Sequence, residues 1–78
     1  MASYRKSVNG SFVYMSHAEE RAIVQEVAAM IRRQAGCRDN RIGAMIVVQR
    51  VDRMAQITQE WGRDVAAAIH DKAFRQAG

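Results

Sequence analysis

Proline is absent from the 78 residues, and cysteine occurs once, at Cys37. A lone cysteine closes no internal disulfide, and no cluster of metal ligands surrounds it. Two of the usual staples of a very small domain are therefore missing. The absence of proline excludes collagen-like and Pro-rich disordered chains. Aromatic residues make up only 6% of the sequence. No apolar run approaches the roughly 18 residues needed to span a bilayer, so no membrane contact is expected. Met1 to Gly10 hold no apolar core of signal-peptide type. A single free thiol fits a reducing cytoplasm, which is where the chain is expected. Its small size and Arg/Ala-rich style suggest a bacterial or phage source.

What is present is 49% apolar residues, 26% charged residues and a formal charge of +4. This composition fits one folded, mainly α domain over residues 1–78. A chain this short buries only about 60% of its unfolded surface. Regular packing or a partner subunit must then supply the remaining stability. Ten of the twelve basic residues are arginine, which suits anionic partners.

Residues 4–15 read as a β-hairpin. Asn9-Gly10 is a strong signal for a two-residue type I′ turn, whose central residues both need positive φ. That turn sets Val8 against Ser11, Lys6 against Val13 and Tyr4 against Met15, with Arg5 and Tyr14 paired on the other face. A lone hairpin is marginal in water, so it must pack on helices or on another chain. Ser16-His17-Ala18-Glu19 is a capping box opening helix 1 over 17–35. Ile23, Val24, Val27, Met30 and Ile31 form its apolar stripe. Gly36 is expected to end it, as a residue that tolerates left-handed geometry.

After the loop around Asp39, residues 41–76 read as one long second helix capped by Asp39 or Asn40. Val47, Val51, Met54, Thr58, Trp61, Val65 and Ala68 alternate steps of four and three, which makes a heptad seam. Such a helix would be roughly 50 Å long. Gly62 beside the seam marks either a close helix crossing or a break. The β-branched Ile46-Val47-Val48 competes as a strand, but a ββ turn at Asp52-Arg53 would need positive φ at residues that resist it. Helix 1 would cover only half of the seam. An uncovered apolar stripe of that length predicts a homodimer through helix 2, with Val51, Met54, Thr58, Trp61 and Val65 central; the alternative is a monomer whose hairpin folds back over the Trp61 end.

A strand followed by two helices is similar to ribbon-helix-helix repressors, whose paired strand enters the major groove. Ser11 to Met15 followed by the capped helix match that order. Helix 2 is more than twice too long, and Asn-Gly predicts an intrachain hairpin, so the chain is not placed in that family.

Chemistry-bearing motifs are sparse. His17 and His70 form no metal-ligand spacing, and no phosphate loop or dinucleotide fingerprint is present. Cys37 has no histidine base near it in sequence. No enzyme activity, cofactor or metal is expected. Arg32, Arg33, Arg38 and Arg41 surround the interhelical loop. Arg5 and Lys6 lie beside Tyr4 and Tyr14 on the hairpin. Arginine forks and aromatics are both common contact residues. The favoured expectation is a non-catalytic homodimeric interaction protein, a regulator, inhibitor or adaptor that binds another protein through Tyr4, Phe12, Tyr14 and exposed arginines. The alternative is a nucleic-acid-binding regulator that uses Arg32, Arg33, Arg38 and Arg41 with Arg5 and Lys6. A weaker third expectation is capture of a small anionic ligand at the start of helix 2.

Overall fold

The computed structural model describes residues 4–78. The single domain expected over 1–78 thus begins with three residues outside the described ones. The order is β1 (Arg5–Val8), β2 (Ser11–Tyr14), α1 (His17–Ala35), α2 (Asn40–Trp61) and α3 (Arg63–Ala77).

The two strands pair antiparallel in the register that the Asn-Gly turn dictates: Arg5 with Tyr14, Lys6 with Val13, Ser7 with Phe12 and Val8 with Ser11. Asn9 and Gly10 carry φ of 51° and 82°, the mirror-image turn geometry. Beyond the last strand pair, Met15 N donates to Tyr4 O at 2.9 Å.

Ser16 Oγ accepts from the Glu19 amide at 3.0 Å and starts α1. The helix ends at Ala35, but Gly36 sits at φ −87°, ψ −1°, not in the left-handed region. Its amide still donates to Arg32 O at 3.0 Å, so the last turn closes without needing a glycine-only conformation. Asp39 Oδ1 accepts from the amides of Arg41 (2.8 Å) and Ile42 (3.4 Å) and opens α2.

The single helix expected over 41–76 is two helices. Gly62 lies at φ 97°, ψ 163°, a backbone conformation that essentially only glycine adopts. The chain turns there, and α3 doubles back along α2. Phe74 comes beside Arg50, and Arg32 of α1 donates to Gln76 O at 3.1 Å. The result is three helices packed on one another with the hairpin at the α2–α3 corner.

The core is Met15 from the hairpin exit, Ile23, Val24, Val27 and Ala28 from α1, Ile57 and Trp61 from α2, and Ala66, Ile69 and Ala73 from α3. Val27, Ala28, Ile69 and Ala73 are wholly buried. The alanines let α1 and α3 approach closely, while each fully buried Val or Ile contributes about 1.5–3 kcal/mol.

The expected heptad seam is not the buried line of α2. Ile46, Ile57 and Trp61 are buried, with Arg50, Arg53 and Met54 half-buried among them. This line is rotated by about 70° from the seam on a wheel of 100° per residue. The physical reason is that α2 carries apolar residues on two faces. Ile46, Ile57 and Trp61 face the core, while Met45, Val48 and Val51 face outward. A single stripe drawn through both falls between them. Arg53 also lies toward the core side, where it pairs with Glu26 of α1 at 2.9 Å and covers apolar surface with its stem.

Candidate interaction surfaces

Strand alternation gives the hairpin two unlike faces. The inner face carries Tyr4, Lys6 and Met15 onto the helices. Lys6 Nζ lies 4.4 Å from the centroid of the Trp61 ring and 2.6 Å from Glu60 Oε1. Lys72 of α3 lies over the Tyr4 ring at 5.2 Å. Lys72 also donates to Glu20 of α1. The Glu20 carboxylate, followed by the Tyr4 hydroxyl, raises the Lys72 pKa above its ordinary 10.5. These contacts hold the hairpin against the helices at three points.

The outer face carries Arg5, Phe12 and Tyr14. Phe12 is 57% exposed and Tyr14 55% exposed. The Arg5 guanidinium carbon sits 4.3 Å from the Phe12 centroid, a cation–π stack that orders both side chains. Rigid aromatics beside an arginine are the usual anchors of a protein interface.

The arginine cluster is only partly gathered. Arg33, Arg38 and Arg41 are exposed at the α1–α2 corner, and none enters the four ion pairs of the described residues. Arg32 is tied to the last turn of α3. Arg5 and Lys6 lie on opposite faces of the hairpin, at the far end of α2. Twenty residues of helix from Arg41 to Trp61 separate the two basic groups by about 30 Å. The six basic residues singled out in the sequence thus do not form one surface.

The residues expected at the centre of a dimer also divide. Trp61 is buried in its own chain's core, and Met54 and Val65 pack against that core. Val51 and Thr58 are exposed. The premise that helix 1 leaves half of the seam bare does not hold, because α3 folds back and covers that side. A different apolar surface stays open on α2, opposite the core: Met45 (61% exposed), Val48 (58%) and Val51 (59%), with Ile42, Ala44 and Ala55 at its margins. Neither Met45 nor Val48 is among the residues that the sequence places at an interface. Their spacing to Asp52 and Ala55, by three and four, is the signal that would have found them.

No protein-family model matches the chain. No curated protein and no solved structure is detectably similar to it. Function must therefore be argued from the chain's own surfaces. Among the described residues, no group of His, Cys, Asp and Glu is placed to hold a metal ion, and no helix is long and apolar enough to cross a membrane. The half-buried Cys37 thiol donates to Asp39 O at 3.2 Å, a contact that helps to close the loop before α2.

Proposed function

We propose that this chain is a non-catalytic interaction protein, dimeric in the cytoplasm, that regulates, inhibits or adapts another protein by binding it through the outer face of its hairpin. One observation carries the reading. The hairpin is anchored by Tyr4, Lys6 and Met15, while on its opposite face Phe12 and Tyr14 stay more than half exposed beside Arg5. Such aromatics lose little entropy on binding, since Phe12 is already stacked under Arg5.

A photo-crosslinking amino acid placed at Tyr14, compared with one at the exposed Gln59, tests this in the native host. The expected result is one defined protein adduct from position 14, lost when Phe12→Ala is added. Equal adducts from both positions, or an adduct indifferent to Phe12→Ala, would remove the hairpin from the proposal.

The nucleic-acid reading draws support from Arg33, Arg38 and Arg41, three exposed guanidinium groups that enter no ion pair among the described residues. Its signature is affinity for duplex or single-stranded DNA that falls steeply with salt and is lost on replacing these three by glutamine. Weak binding without a salt slope would return the corner to a role in solubility.

A further inference from the structure

We infer that the outer face of α2 is covered by the same face of a second copy, with the two α2 helices antiparallel and centred between Ile46 and Val47. This rests on the dimeric part of the function proposed above and names the surface and register that part requires.

Arg41, Met45, Val48, Asp52 and Ala55 follow in steps of four, three, four and three, a coiled-coil seam on the side of α2 away from its own core. A two-fold interface must be self-complementary, so that whatever faces residue i on one chain also faces it on the other. The midpoint between Ile46 and Val47 satisfies this for the four residues from Arg41 to Asp52. Met45 then faces the second copy's Val48, and Val48 faces its Met45. Arg41 faces the second copy's Asp52, and Asp52 its Arg41. Ile42 and Val51, the other large exposed apolar residues of α2, border the seam symmetrically about the same point.

Charge supports the same register. Arg41 and Asp52 are both exposed, and neither takes part in the ion pairs of its own chain among the described residues. A parallel pairing in register would set arginine against arginine and aspartate against aspartate, which is repulsive. The antiparallel pairing brings both pairs together at the two ends of a short apolar centre. Rim charges arranged in this way fix orientation and exclude the wrong one.

The geometry has a consequence for partner binding. Each Trp61 end lies about fourteen residues from the two-fold axis, so the two hairpin faces stand roughly 40 Å apart along the helix direction. The dimer would present two Phe12–Tyr14 surfaces at opposite ends and two Arg33–Arg38 corners nearer the middle.

The test is a charge swap read by sedimentation equilibrium at low salt on the full chain. Wild type is expected to be a dimer in the tens of micromolar. Arg41→Asp alone, or Asp52→Arg alone, sets like charges face to face and should weaken the dimer at least about ten-fold. The double variant restores opposite charges and should return to within about three-fold of wild type. Arg41→Asp places an acid in the first turn of α2, where the helix dipole favours it, so folding should survive and circular dichroism will verify it. Wild type that stays monomeric at hundreds of micromolar would overturn the pairing and the dimeric part of the function, leaving the face to another protein and the hairpin reading intact. A dimer that both single variants leave unchanged would overturn this register alone.

Discussion

Replacing Gly62 by alanine should lower stability without altering the fold. Gly62 sits at φ 97°, ψ 163°. An L-residue held there costs about 1–3 kcal/mol. Alanine also restricts the unfolded chain, which returns about 0.4–1 kcal/mol. The cost is conformational rather than steric, because a Cβ at this position would meet nothing within 4 Å. The strain has an escape, which is to run α2 and α3 together as one straight helix. That escape would strip Ile69, Ala66 and Ala73 from α1 and bare Val27 and Ala28. At about 1.5–3 kcal/mol for each large side chain, the loss exceeds the strain, so the turn should persist. The net expectation is a destabilisation of about 1–2 kcal/mol. For a domain of this size that lowers the melting temperature by roughly 5–15 °C. Thermal unfolding followed by circular dichroism measures it, with unchanged helicity at room temperature. A chain of 78 residues is within reach of chemical synthesis, which allows a sharper control. D-alanine at position 62 accepts positive φ and should melt at or above the wild-type temperature. An L-alanine variant within about 2 °C of wild type, or a D-alanine variant less stable than the L form, would refute the reasoning.

Asp39→Ala removes the side chain that caps two amides of α2 and should cost about 0.5–2 kcal/mol, measured as a lower urea midpoint with unchanged slope. Ile69→Ala empties a fully buried position between α1 and α3 and should cost about 2–5 kcal/mol in the same assay. Lys72→Gln tests the contact with Glu20. The Lys72 pKa is raised in the folded state, so the stabilisation is complete below the ordinary value of 10.5 and disappears as pH rises through the folded value. Wild type should therefore melt above the variant at neutral pH, by the small margin of a surface pair, about 0–1 kcal/mol, and the two melting curves should converge above pH 10.5.

Much of the local structure was legible in the sequence because it depends on neighbours in the chain. Asn9-Gly10 specifies the turn and therefore the register, since positive φ at two successive residues admits few alternatives. Ser16 and Asp39 mark helix starts because a free amide must find an acceptor within a few residues. The apolar stripe of α1 reads correctly at Ile23, Val24, Val27 and Ile31, because that helix has a single buried face, but it includes the half-buried Met30 and misses the buried Ala28. The candidate surfaces were legible in part. Phe12, Tyr14 and Arg5 could be placed on the hairpin, and strand alternation put Arg5 and Tyr14 together.

Periodicity misleads where one element carries two apolar faces. Met45, Val48 and Val51 on one side of α2, and Ile46, Ile57 and Trp61 on the other, merge into a false stripe when periodicity alone is used. Arg53 deepened the error, since a charged residue with a long aliphatic stem can lie toward the core when an acid such as Glu26 waits on the next helix.

What the sequence by itself determined was therefore the hairpin and its register, the limits of α1, the start of α2 and the mainly helical class. Each follows from contacts within a few residues. What only the tertiary structure decided was that Gly62 turns the chain rather than permitting a close crossing, which side of α2 meets the core, and that Trp61 belongs inside. Glycine permits both the straight and the turned backbone at nearly equal local cost. The choice is made by burying Ile69, Ala66 and Ala73 against α1, an energy that exists only once residues more than forty positions apart have come together.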